Sequence, residues 1–126
     1  MKIVINDRKT VKIIQKEFND TFPFLKIEVF SRSPQPGGGT AKRFMLERYK
    51  TIYECRAIHN NGELEIVPEM TVTELEKSFS NMFGLSVQVF RKSGKVWLET
   101  TTTDHCTLEE QNKLGEMHTK TLEIDN

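Results

Sequence analysis

Val72, Leu75, Phe79, Met82 and Phe83 recur at three- and four-residue intervals and lay one apolar stripe along a helix. Thr71 and Thr73 each precede a glutamate by three residues, Glu74 and Glu76. In that pattern a hydroxyl and a carboxylate satisfy the free amides of a helix's first turn. Gly84 follows the last apolar residue and predicts a left-handed stop. Beyond it Leu85, Val87 and Val89 alternate with Ser86, Gln88 and Phe90, the pattern of a strand with two different faces. Ser93-Gly94 predicts a two-residue hairpin turn, with Lys95 to Thr101 as the returning strand. That turn sets Lys92 against Lys95, Arg91 against Val96, Phe90 against Trp97 and Val89 against Leu98.

The same plan occurs earlier in the chain. A shift of 61 places Thr10 on Thr71, Val11 on Val72, Lys16 on Lys77, Phe18 on Phe79 and Phe22 on Phe83. One extra residue near Pro23 reduces the shift to 60, and Leu25, Val29, Phe30 and Ser33 then meet Leu85, Val89, Phe90 and Ser93. Farther on, Leu46-Glu47 lies on Leu98-Glu99, and Thr51 to Glu54 on Thr107 to Glu110. Matches in one order with few gaps are the signature of an internal duplication. The expected organisation is a single domain over 1–126 made of two pseudo-repeats, 1–61 and 62–126, that share one core, since units of this size bury too little surface alone.

The remaining elements follow in order. Lys2 to Asn6 reads as a first strand, Thr10 to Phe22 as a helix ended by Pro23, and Leu25 to Ser31 as a second strand. Two prolines and three successive glycines between Pro34 and Gly39 predict a mobile loop. Arg43 to Glu47 is expected as a third strand, Thr51 to His59 as a short helix and Glu63 to Val67 as a fourth strand. Thr107 and Glu110 cap a second short helix, Gly115 ends it, and Thr119 to Ile124 closes the sheet. The expected fold class is therefore α+β, a duplicated β-α-β-β-α unit. Its helices pack on one face of a mixed sheet, in a ferredoxin-like or β-grasp-like arrangement closed by a C-terminal strand.

Leu64 to Ile124, above all the Thr-Leu-Glu-Glu-Gln-Asn helix followed by Thr-Leu-Glu-Ile, looks like the later part of a ubiquitin-type β-grasp domain. The leading hairpin strand of that family is missing here, and no Gly-Gly tail follows Asn126, so the resemblance does not imply conjugation chemistry. The segments VQVFRKSGKVWLETT and TLEEQN resemble a family of small uncharacterised bacterial proteins, a resemblance that implies no particular activity.

Charge changes the picture next. The chain is neutral overall, yet residues 1–61 carry 12 Lys/Arg against 6 Asp/Glu and residues 62–126 the reverse, so the halves hold +6 and −6. Halves of opposite sign attract each other, within one molecule or between copies, and a neutral whole lacks the field of a nonspecific nucleic-acid binder. No apolar run is long enough to span a bilayer, and the apolar part of MKIVIND is too short for a signal peptide. Two cysteines, Cys55 and Cys106, make no disulfide framework, and a reducing cytoplasmic location is expected.

Candidate chemistry is sparse. GGGTAKR lacks the Gly-Lys-Ser/Thr ending of a phosphate-binding loop. Cys55, His59, His105, Cys106 and His118 are metal-ligand types at no standard zinc spacing, so no metal or other cofactor is expected. Asp104-His105-Cys106 has the residue types of a nucleophilic site, but successive side chains diverge and a triad forms by adjacency in space. The aromatic constellation is more informative. Phe90 and Trp97 share a face, Phe30 and Met45 fall at the equivalent positions of the first unit, and Arg91, Lys92, Lys95 and Arg32 lie at the hairpin tips. These eight residues are the expected partner-binding set. A large apolar patch of this kind marks a protein interface. The expected function is a non-enzymatic interaction domain that binds a protein partner or itself, without a membrane. The alternative is a single-stranded nucleic-acid-binding module that stacks bases on the aromatic and basic face. A small Cys/His enzyme or metal-binding protein ranks third.

Overall fold

The structure, a computed structural model, describes residues 1–32 and 41–125; the expected loop from Pro34 to Thr40 lies outside them. Strand β1 (Lys2–Ile5) leads to helix α1 (Val11–Thr21) and strand β2 (Leu25–Phe30). Helix α2 (Ile52–Cys55) and strand β3 (Gly62–Glu65) follow. Helix α3 (Val72–Phe83), strands β4 (Ser86–Ser93) and β5 (Val96–Glu99), and helix α4 (Leu108–Asp125) complete the chain. The protein is α+β, as its patterning predicts.

Local chemistry explains where the helices begin and end. Four threonines open them. The Thr71 hydroxyl accepts from the Glu74 amide at 3.1 Å. The Thr10 hydroxyl accepts from Ile13 at 3.4 Å. Thr107 and Glu110 form a reciprocal capping box with both bonds at 3.1 Å. Thr51 and Glu54 form another. Gly84 ends α3 in the left-handed region at φ 65°, where a side chain would also collide with Ile58.

β1 pairs antiparallel with β3, while β2, β4 and β5 form a second antiparallel sheet in the order β2-β4-β5. The expected single mixed sheet is thus replaced by two antiparallel ones. In the β2–β4 ladder Leu25 faces Arg91, Glu28 faces Gln88 and Phe30 faces Ser86. Leu25, Ile27, Val29, Val87 and Val89 turn to one face and join Val11, Ile14 and Phe18 of α1 and Val72, Leu75 and Phe79 of α3 in a common core drawn from both halves of the chain.

Three further expectations are corrected. The hairpin turn is Gly94-Lys95, because Ser93 pairs with Val96. Gly94 then occupies the first central position at φ 63°, where positive φ is needed, and no non-glycine residue has to adopt one. Moving the turn by one residue shifts the pairing by two, which sets Phe90 opposite Glu99 and Trp97 opposite Lys92 and keeps each on its expected face. Arg43 to Glu47 is not a full strand: a short 3-10 turn over Lys42–Phe44 precedes a single bridge from Met45 to Phe30. Finally, Thr119 to Ile124 is not a closing strand, for α4 runs on through it. Gly115 does not stop this helix; it lets the backbone come close, since a Cβ there would lie 2.9 Å from the Phe24 Cβ.

Candidate interaction surface on the β5 edge

The two edges of the three-stranded sheet differ. On the β2 edge, side-chain amides of α1 stand in for a neighbouring strand. Asn19 donates to the Leu25 carbonyl at 2.8 Å, and Gln15 to the Ile27 carbonyl at 2.8 Å. The Leu46 amide donates to the Val29 carbonyl at 2.8 Å. On the opposite edge, among the described residues, β5 has no neighbouring strand on its outer side. Its Val96 and Leu98 are 57% and 41% exposed, and Lys95 and Glu99 at its ends are exposed as well.

The aromatic face lies on the side of this sheet away from the valines. Phe90 and Phe30 are only 8% and 2% exposed, which leaves Trp97, half-buried, as its accessible aromatic. The Lys26 ammonium caps both rings, 5.5 Å from the Phe90 centroid and 5.1 Å from that of Trp97, while it pairs with Glu28 at 3.2 Å. Beside them Gln88 is buried with neither atom of its amide bonded.

The expected partner-binding residues are thus divided. Phe90, Lys92 and Trp97 share a face, and Met45 bridges to Phe30. Arg91 turns to the other side, where it donates to Gln111 of α4 at 2.9 Å. Lys95 is exposed at the turn, and Arg32 lies over the Phe44 ring at 4.3 Å. Trp97 also walls an open groove of about 870 Å³, lined by Lys12, Lys16 and Gln15 of α1, Lys26 and Glu28 of β2, and Arg48 and Tyr49.

The cysteines and histidines do not converge. Cys55 donates to the Thr51 carbonyl at 3.2 Å, and burial, with Glu54 beside it, pushes its thiol pKa up. Such a thiol is a poor nucleophile. The backbone of Asp104 to Cys106 accepts from the first turn of α3, with Thr73 donating to the Asp104 carbonyl at 3.0 Å and Val72 to that of Cys106 at 3.1 Å. Among the described residues no group of three or more His, Cys, Asp or Glu is placed to hold a metal ion.

Two polar centres escape sequence reasoning. The Arg56 guanidinium is fully buried; it donates to Asp7 Oδ1 at 2.8 and 3.1 Å, to the Asn60 carbonyl at 2.6 Å and to the Phe83 carbonyl at 3.0 Å. Burial works against the Asp7 carboxylate, but its bonds to Arg56 and to His59, 3.0 Å away, hold its pKa below the usual value. Asp7 and Arg56 are 49 residues apart in sequence, so no local spacing signals the pair. The second centre is Glu76, whose carboxylate accepts from the Val89 amide at 3.0 Å.

No family model, curated protein or solved structure matches the chain. No helix among the described residues is long and apolar enough to cross a membrane.

Proposed function

We propose that the protein is a non-enzymatic interaction domain that binds a protein partner or a second copy of itself along β5. The observation that carries this reading is the unpaired outer side of β5, with Val96 and Leu98 exposed on it, beside a β2 edge that the chain closes with its own amides. An open strand edge is a template for backbone pairing, and folded proteins ordinarily blunt such edges. The test compares the parent with Val96→Lys/Leu98→Lys, a double substitution of exposed side chains, in capture from an extract of the source cells and in light scattering. The expected result is association by the parent and its loss in the variant. Identical behaviour of the two, in capture and in mass, would overturn the reading.

The duplication belongs to the same proposal. Two kinds of geometry support it. Residues related by the 60-residue shift, Glu28 and Gln88, face each other at the centre of the β2–β4 ladder, the pairing expected of two units related by a pseudo-twofold axis. The threonines that cap equivalent helices also bridge in equivalent pairs, Thr10 with Thr51 and Thr71 with Thr107. Each bridge is flanked by matching amide bonds, Val11 to the Lys50 carbonyl in one unit and Val72 to the Cys106 carbonyl in the other.

A second reading, single-stranded nucleic acid in the groove, is favoured by one observation: Lys12, Lys16, Lys26 and Arg48 line it together with Trp97 and Tyr49. Retention on single-stranded DNA that falls steeply with salt, and drops for Lys12→Glu/Arg48→Glu, is the expected result of that reading. Retention independent of both would remove it.

A further inference from the structure

We infer that the partner of β5 is β5 of a second copy, paired antiparallel about Trp97 to form a symmetric dimer with a continuous six-stranded sheet. The inference rests on the reading of β5 as an interaction edge and names its occupant. It comes from the order of residues along the strand. Lys95-Val96-Trp97-Leu98-Glu99 is complementary to itself when reversed. Antiparallel pairing centred on Trp97 sets Lys95 opposite the partner's Glu99 at one end and Glu99 opposite the partner's Lys95 at the other. Between them Val96 meets the partner's Leu98, Leu98 the partner's Val96, and Trp97 the partner's Trp97. Directly opposed residues point to the same face of a sheet, so Trp97 and Glu99 of both copies share one face and the four exposed aliphatic side chains the other, and each Lys95 approaches the partner's Glu99 from the turn.

The backbone permits this register. In a two-residue hairpin the pair closing the turn, here Ser93 and Val96, exchanges hydrogen bonds. Ladder alternation then directs the amides of Val96 and Leu98 toward β4 and those of Trp97 and Glu99 outward, with Lys95 in the turn just before the strand. Trp97 then forms the hydrogen-bonded pair on the twofold axis, and Glu99 lies beside the partner's turn, within reach of the Lys95 there. A one-residue slip would set hydrogen-bonding groups against non-bonding ones and break both charge pairs. The exposed strand β3 offers no such match: self-pairing of Gly62–Glu65 about Leu64 brings Glu63 against the partner's Glu65. The closed β2 edge, held by Gln15, Asn19 and Leu46, also leaves β5 as the open side of its sheet.

A charge swap tests the register. Sedimentation velocity of the full chain, from about 1 µM to 1 mM, should show mass rising from 14.6 kDa toward twice that value. The emission of the single tryptophan should shift to the blue over the same range as its ring loses water. Lys95→Glu alone and Glu99→Lys alone each place like charges together at both ends of the pairing, and each should weaken association about tenfold or more, since two attractive pairs become two repulsive ones. The double variant Lys95→Glu/Glu99→Lys restores complementarity and should dimerise within about threefold of the parent. Both side chains are exposed, and circular dichroism should show all three variants folded. A parent that stays at 14.6 kDa throughout overturns the dimer; if capture in the same protein still depends on Val96 and Leu98, the interaction reading survives with a different occupant. A parent that dimerises with no response to either single variant, or without rescue in the double, overturns the register.

Discussion

Glu76 shows how one position departs from its local signal. Its spacing from Thr73 marks it as a capping carboxylate, yet its carboxyl reaches across to the Val89 amide, and Thr73 bonds Asp104 instead. Burial raises its pKa to about 7, the Val89 amide opposes the rise and Asp104 adds to it. Because the folded value lies above the ordinary 4.5, the folded chain holds a proton between those values that the unfolded chain releases. This group's contribution to stability is therefore fully present below pH 4.5 and is lost as pH rises to about 7. Glu76→Gln should leave stability at pH 4 near that of the parent and raise it at pH 8 by roughly 1–3 kcal/mol. Urea titrations at pH 4, 6 and 8 check this, and two parallel pH profiles would refute it. Arg56 is the opposite case, a buried cation whose removal strands its acceptors. Arg56→Met should cost about 3–5 kcal/mol in the same titration, and a loss below 1 would show the cluster to be dispensable.

At the scale of elements, α4 departs furthest from expectation. Its buried stripe is Leu108, Gln111, Gly115 and Thr119, correctly spaced for a helix but with one large apolar residue. Thr-Leu-Glu-Ile therefore reads as alternation and Gly115 as a stop. The helix continues because contact holds it: Gln111 accepts from Arg91 and donates to the Thr103 carbonyl at 2.6 Å, and Thr119 accepts from the Gly94 amide at 3.2 Å. Gly115→Ala separates propensity from packing. Alanine is the better helix former by about 1 kcal/mol, but its Cβ would press on Phe24, including the carbonyl oxygen at 3.0 Å. The expected outcome is a net loss of about 1–3 kcal/mol in the whole protein, with a gain in helicity for the isolated segment 107–125. A variant as stable as the parent would mean that α4 packs more loosely than this geometry requires.

For the whole molecule, the two halves are joined through their cores and their strands. β4 meets β2 through six residue pairs, and in a fragment of residues 62–126 that side of β4 is open. Such a fragment should melt without a cooperative transition and bind a hydrophobic dye, because Val87, Val89 and Phe79 lose the neighbours that cover them. A sharp independent transition in calorimetry would count against a shared core. The opposite net charges of the halves favour the same union, though most ion pairs that form are local, such as Lys16 with Asp20 and Lys113 with Glu109.

The sequence by itself determined the features that arise within about one helical turn or along one strand: the four threonine-led helix starts, the Gly84 stop, the apolar stripes of α1 and α3 apart from Met82, which is exposed, and the alternation of β2 and β4. Each depends on neighbours a few residues away, so its signal is written in spacing. Tertiary structure alone decided what depends on distant partners. Trp97 was legible as an aromatic on the face of Phe90, but its partner was not, because a turn shifted by one residue sets Lys92 opposite it. Phe90 was legible as an outward alternate, yet it is buried and Lys26 lies over its ring. The open side of β5 was invisible in the chain as a string, since a strand's edge is free or closed according to what else packs there, and only the folded arrangement puts Gln15 and Asn19 on one edge and, among the described residues, no strand on the other.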